Sequence, residues 1–195
     1  MVMVVFISKI MSRMKKKIVF RSLLLTALLW LSCLVADAQI QRVFWGIELG
    51  RSTKSEVLSI IKNNGWKYEL APGAADAIFV NDKVSLGGRL WEPIFSFYDN
   101  ILYDVALLIP NIGFMNDEIT DEKESNTSEF YNLKDILSRK YSNVENIKDP
   151  QIPSNQFVLR DNLTVLILML DEDKNVSILY QDRRLHRLEY NGSGL

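Results

Sequence analysis

The chain has 195 residues, with 23 Lys+Arg against 24 Asp+Glu, one His, one Cys and 48% hydrophobic residues. Six basic residues (Lys9, Arg13, Lys15, Lys16, Lys17, Arg21) and a single acid, Asp37, precede Gln39, so subtracting 6 and 1 leaves 17 basic and 23 acidic residues and a body of charge −6. An acidic body lacks the basic footprint that broad binding to nucleic acid or anionic lipid requires, and the residues after position 38 supply one core or two small fused units but not two large domains.

The segment 1–38 has the pattern of a signal peptide. Met14 opens an orthodox start: Lys15, Lys16, Lys17 and Arg21 form a positive region, Ser22 to Val35 an apolar one, and Ala36-Asp37-Ala38 places small residues at −3 and −1. Cleavage is expected before Gln39. A retained membrane anchor competes with this reading, but the apolar run Leu23 to Val35 falls short of the roughly 20 residues that span a bilayer. Ser32-Cys33 offers a second alternative, an outer-membrane lipoprotein acylated at Cys33, although Trp30 stands where such a motif usually has Leu. Removal of Cys33 leaves no thiol, which excludes disulfides, thiolate metal sites and cysteine nucleophiles together.

The first predicted element after the leader is a helix. Thr53 and Glu56 stand in capping-box spacing, Val57, Leu58, Ile60 and Ile61 make an apolar stripe, and Asn63-Asn64-Gly65 provides a left-handed stop. Two aromatic and β-branched runs follow, Leu90 to Tyr98 and Ile101 to Ile109, separated by Asp99-Asn100, a pair that suits a tight hairpin turn. Pro93 predicts a bulge or an edge in the first of them. Ile112 to Ser128 is polar and acidic and reads as a solvated loop; a second helix is expected over Ser128 to Tyr141, with Phe130, Leu133, Ile136, Leu137 and Tyr141 on one face and Arg139 and Lys140 in its last turn.

Phe157 to Arg160 and Leu163 to Leu170 then flank Asp161-Asn162. The run Phe95 to Ile101 aligns without gaps on Phe157 to Leu163, which points either to a degenerate duplication of a helix-then-strands unit (44–110 and 127–190) or to the commonness of Asp-Asn turns. Leu163 to Leu170 is almost wholly apolar and predicts a central strand covered on both faces. A last strand is expected near Val176 to Gln181, extended by the tail from Asp182 to Tyr190, and Asn191 to Gly194 should fray. The fold class is α+β: one antiparallel sheet with two helices packed on one face.

The run Gly46-Ile47-Glu48-Leu49-Gly50-Arg51-Ser52-Thr53-Lys54-Ser55-Glu56-Val57, ending in Asn64-Gly65-Trp66, resembles the first helix of SmpA/OmlA (BamE-like) and β-lactamase-inhibitor-protein-like modules, and is similar to secreted Bacteroidetes proteins with an early G-I-x-L-G segment. The resemblance covers about twenty residues and implies a small exported α+β domain, in some members duplicated in tandem. The chain lacks the paired cysteines of the inhibitor proteins and the clean lipobox of the outer-membrane members.

Chemistry-bearing residues are sparse. His186 is the single histidine, within Arg183-Arg184-Leu185-His186-Arg187, where neighbouring arginines repel a metal cation; it is expected on the surface of a terminal strand. The same cluster is a candidate anion or partner patch, with ordinary solvated charge as the alternative. Asp171-Glu172-Asp173-Lys174-Asn175 opens like a calcium loop, but Val176 stands where the glycine should be and no bidentate Glu closes it, so a hairpin turn is expected. Asp117 to Glu124 could gather a divalent ion, yet isolated acidic loops are usually solvated. Ser59-Ile60-Ile61-Lys62 matches S-x-x-K without its partner motifs. No phosphate loop, zinc motif or dinucleotide fingerprint is present, so neither metal nor cofactor is expected.

Two functional classes remain. A non-catalytic periplasmic or extracellular module would bind another envelope protein or a cell-wall component through its sheet face or aromatic edge, with Trp45, Trp91, Arg183, Arg184 and Arg187 as the candidate interaction surface. A hydrolase would use carboxylates such as Glu48, Glu92 or Asp104, and nothing in their spacing selects a pair. The first class is favoured. Intact-mass analysis of exported material should give a chain beginning at Gln39; a start at acylated Cys33, or one retaining Met14, overturns this expectation.

Overall fold

In the computed structural model, residues 39–72, 76–109 and 119–192 are described, with backbone alone at 119–125 and 189–192. Residues 1–38, with the expected cleavage motif and Cys33, and Asp117, Glu118 and Gly194 lie outside them. In chain order the elements are β1 (Val43–Phe44), β2 (Ile47–Glu48), α1 (Lys54–Asn63), β3 (Tyr68–Leu70), β4 (Ala77–Val80), β5 (Val84–Leu86), β6 (Arg89–Tyr98), β7 (Ile101–Leu108), α2 (Ile119–Lys140), β8 (Glu145–Asn146), β9 (Gln156–Arg160), β10 (Thr164–Leu170), β11 (Val176–Asp182) and α3 (Arg183–Gly192). The fold is α+β, as the sequence predicts. Its main sheet runs β3-β4-β6-β7-β11-β10-β9-β8 with β5 also on β6, every pairing antiparallel.

Local chemistry explains the elements that were predicted. Thr53 caps α1: its hydroxyl accepts from the Glu56 amide at 3.3 Å, while Glu56 Oε2 accepts from the Thr53 amide at 2.8 Å, a bond that holds the Glu56 carboxyl below its ordinary range. The helix stops where Gly65 turns to φ +69°. Asp99 and Asn100 both adopt positive φ, the two-residue turn that matches strand twist, and join β6 to β7.

Elsewhere the structure corrects the sequence. Helix α2 begins at Ile119, nine residues before Ser128, so the acidic segment is helical from that point, Asp121, Glu122 and Glu124 included, rather than a loop. Ile136 is 37% exposed whereas Phe130, Leu133, Leu137 and Tyr141 are buried, because spacings of 3, 4 and 4 keep those four on one stripe and leave Ile136 beside it. Pro93 lies inside β6, paired with Leu107, and the register shift comes later, between Ser96 and Phe97. Proline is tolerated there because β4 pairs with β6 only as far as Ile94 and β5 begins at Trp91, which leaves a gap on the side where a donor would be needed. The tail after Asp182 is a helix rather than a strand extension.

One face of the sheet is the core. Ile78, Phe95, Val105, Leu107, Tyr180, Ile178, Leu166, Leu168, Phe157 and Leu159 point into it, met by Val57 and Ile61 of α1 and by the α2 stripe. Phe44 packs edge-on against Tyr180 at 4.8 Å, and burial pushes the Tyr180 phenol well above its ordinary pKa. The opposite face is different. Strand β10 alternates, with Thr164, Leu166, Leu168 and Leu170 buried but Val165, Ile167 and Met169 only half-buried, so its apolar run is not covered equally on both sides.

Leu137→Ala should cost about 2 to 5 kcal/mol, as buried leucines do, whereas Ile136→Ala should cost less than about 1 kcal/mol. Urea melts of the two variants test the assignment of the α2 stripe; equal losses would show that both side chains face the core.

Candidate functional site: a cationic cleft beside an open sheet face

The register places the half-buried residues of the open face in rows across the strands. One row reads Val158, Ile167, Leu179, Ala106, Ile94 and Phe79 across β9, β10, β11, β7, β6 and β4. Each member is apolar and partly solvent-exposed, Phe79 to 36%. Five strand spacings give this row a length of roughly 24 Å. The adjoining row is polar apart from Val165: Arg160, Val165, Gln181, Asp104 and Ser96.

Helix α3 turns back over the end of this polar row. A cleft of about 350 Å³ separates the two, lined by Arg160, Val165 and Gln181 from the sheet and by Arg183, His186 and Arg187 from the helix. Arg160 is held by Glu145, its Nη2 donating at 2.9 Å and its Nε at 3.0 Å, and Arg183 Nη1 donates to the Asp161 carbonyl at 2.6 Å. Among the described residues the side chains of Gln181 and Arg187 have no hydrogen-bond partner. His186 is half-buried on a helix, not exposed on a strand, with its ring 6.5 Å from that of Tyr103. Tyr103 is the extra residue of the β6–β7 register shift, a bulge that turns its ring out of the ladder.

A buried ion pair sets where α3 begins. Asp182 is fully buried and ends β11; its Oδ2 accepts from Arg42 Nη2 at 2.6 Å. Its Oδ1 accepts from the amides of Arg184 and Leu185 at 3.0 and 3.1 Å, the hydrogen bonds of an N-cap. Arg42 also donates to the Leu49 carbonyl at 2.6 Å, to Thr164 Oγ1 at 2.7 Å and to the Leu163 carbonyl at 3.0 Å. Desolvation pushes the Asp182 carboxyl up, but hydrogen bonds from Arg42, the Leu185 amide and Arg184, with the charge of Arg42, outweigh it and hold the group below its ordinary pKa. Gly50 is built into this arrangement: at φ +81° a Cβ would fall 2.2 Å from Asp182 Oδ2.

The candidate interaction residues separate into three groups. Arg183 and Arg187 line the cleft, while Arg184 turns toward Asp182, 3.4 Å away. Trp91 is buried and donates its indole N–H to the Leu86 carbonyl, so it offers no interaction surface. Half-buried Trp45 donates to the Ser85 carbonyl and packs against Trp66 and Phe95 on the core side of the sheet, away from the arginines. Sequence reasoning missed Arg160, Val165 and Gln181, which reach the cleft only through the pairing of β9, β10 and β11.

The three carboxylates do not converge. Glu48 pairs with Arg51 at 3.3 Å, and Glu92 lies four residues along β6 from Ser96, the register partner of Asp104, roughly 13 Å away by strand rise. The Asp171 segment is a hairpin turn in which Asp171 Oδ1 accepts the Asn175 amide and Oδ2 its side-chain amide. Among the described residues no group of three His, Cys, Asp or Glu could hold a metal ion. No protein-family model, curated protein or solved structure matches the chain.

Asp182→Asn should destabilise by about 3 kcal/mol or more, because it leaves the Arg42 charge buried without its partner. Since the folded-state pKa of Asp182 lies below the unfolded value, its stabilisation is present above the ordinary aspartate range of about 4 and is lost as pH falls through the folded value. Thermal melts from pH 6 to pH 2 should therefore show an acid loss that is smaller in Asp182→Asn than in the parent; parallel curves would contradict the assignment.

Proposed function

We propose that this chain is an exported, non-catalytic binding module, periplasmic or extracellular, that captures another envelope protein or a cell-wall component on the open face of its sheet. The observation that carries this reading is the six-strand apolar row, partly exposed and bordered by a cationic cleft on an acidic body. Continuous apolar surface rimmed by polar groups is the physical signature of a binding face. Export is supported by the leader pattern and by the way the chain enters the fold: Ile40, the second residue after the expected cut, is 1% exposed, and its amide donates to Asp161 Oδ2 at 2.8 Å. Among the described residues no helix is long and apolar enough to cross a membrane.

Sheet topology supports a duplicated ancestry of the kind seen in the modules the early segment resembles. Helix α1 precedes strands that run inward from the β3 edge to β7, and α2 precedes strands that run inward from the β8 edge to β11, so β7 and β11 meet at the centre. The two aligned turns have nevertheless diverged. Asp99-Asn100 is a two-residue turn with positive φ, whereas Asp161 accepts from the amides of Leu163 and Thr164 in a longer turn without it.

A photo-crosslinking residue at Ile167 or Leu179, in the producing cell, should give a discrete adduct. The same residue at Lys62 on α1 should not. Absence of adducts from the open face, or equal adducts from Lys62, contradicts the assignment of the binding surface.

A further inference from the structure

The cleft has a size and chemistry of its own. At about 350 Å³ it falls in the range of small-ligand sites, roughly 300 to 1,000 Å³, and is too small to receive a folded domain. Val165 gives the lining an apolar side chain, and three arginines, Arg160, Arg183 and Arg187, give it its cationic character. No acidic residue is in the lining. Because Glu145 holds Arg160 and the Asp161 carbonyl holds Arg183, those side chains are ordered before any ligand arrives.

Arg187 and Gln181 remain. One uncommitted guanidinium presents the planar fork that two carboxylate oxygens match, and a primary amide adds a further donor. Beyond Val165, two residues along β10, begins the apolar row at Ile167 and Leu179, roughly 7 Å away. An anion pocket that opens onto an apolar track has the polarity of an amphiphile.

We propose that the cleft binds the head of a single-chain carboxylate amphiphile, whose apolar chain lies along the row from Ile167 and Leu179 toward Ile94. This rests on reading the open face as the binding surface. The carboxylate pairs with Arg187 and Gln181 under the rim set by Arg160, Arg183 and His186, and the chain covers side chains that are otherwise half-exposed to water.

The test is an amide-resolved NMR titration of the purified protein with sodium decanoate below its micellar concentration, beside acetate, inorganic phosphate and tetraglutamate. Decanoate should shift Val165, Ile167, Leu179 and Arg187 saturably and bind at least tenfold more tightly than acetate or phosphate. Arg187→Glu should weaken decanoate at least tenfold with an unchanged thermal midpoint, and Arg187→Lys should recover part of the loss. Decanoate no tighter than acetate, or equal binding to Arg187→Glu, overturns the proposal. Stronger perturbation by tetraglutamate overturns it in favour of an acidic peptide. If decanoate fails while Ile167 still gives its crosslinked adduct, the amphiphile is wrong and the binding face stands; loss of both removes the face as well.

Discussion

The pair Arg42–Asp182 is the constraint on which the rest of the structure depends. Arg42 precedes β1, Asp182 ends β11, and the guanidinium also reaches carbonyls of Leu49 and Leu163 and the hydroxyl of Thr164. One side chain thus ties the entry of the chain, the loop before α1, the start of β10 and the end of β11. A buried pair of this kind is no stronger than a well-packed apolar substitute would be, but it is intolerant of losing either partner. Its value here is positional. The approach is so close that residue 50 must be a glycine, both for its left-handed backbone and because any Cβ would enter the carboxylate. The G-I-x-L-G segment therefore has a physical reason for its second glycine in this chain.

The two faces of the sheet follow from one pattern read at different depths. On the core side, residues alternate into a cluster sealed by α1, α2 and the β1–β2 hairpin. On the other side the same alternation places Val158, Ile167, Leu179 and Ile94 where they stay only half-buried, and among the described helices α3 is the one whose residues line a cleft with this face. The strand β10 shows why this was hard to anticipate. An unbroken apolar run is the expected sign of a strand covered on both faces, yet the same run also arises when the second face keeps its apolar character without a layer over it. Composition alone does not distinguish these cases.

What was legible in the sequence was local. The α1 cap, its glycine stop and the Asp99-Asn100 turn rest on contacts within a few residues, and each formed as its spacing dictates. The α2 stripe was legible apart from Ile136, because helical periodicity identifies the buried face to within about one residue's rotation. The β1–β2 hairpin was missed because its turn, Trp45-Gly46, places an aromatic at φ +51°, a residue that carries no turn signal. Strands β3, β4 and β5 are three or four residues long, too short for a period to show. The Arg-rich tail was legible as a cationic cluster but not as part of a cleft, since Arg160 and Gln181 join it only through long-range pairing.

The misreading of that tail bears most on function. In a strand, side chains alternate, so Arg183 and Arg187 would share one face while His186 faced the other. In a helix, positions 183, 186 and 187 stand at i, i+3 and i+4 and share one side, the side that α3 turns to the sheet. Residue 184 falls off that side, and Arg184 indeed turns to Asp182 instead. The carboxylate of Asp182 decides between the two geometries, because it satisfies the first free amides of the helix while its charge is held by Arg42. The buried pair and the cleft are therefore one system: Asp182, whose side chain is not in the lining, determines whether the helical part of that lining comes together.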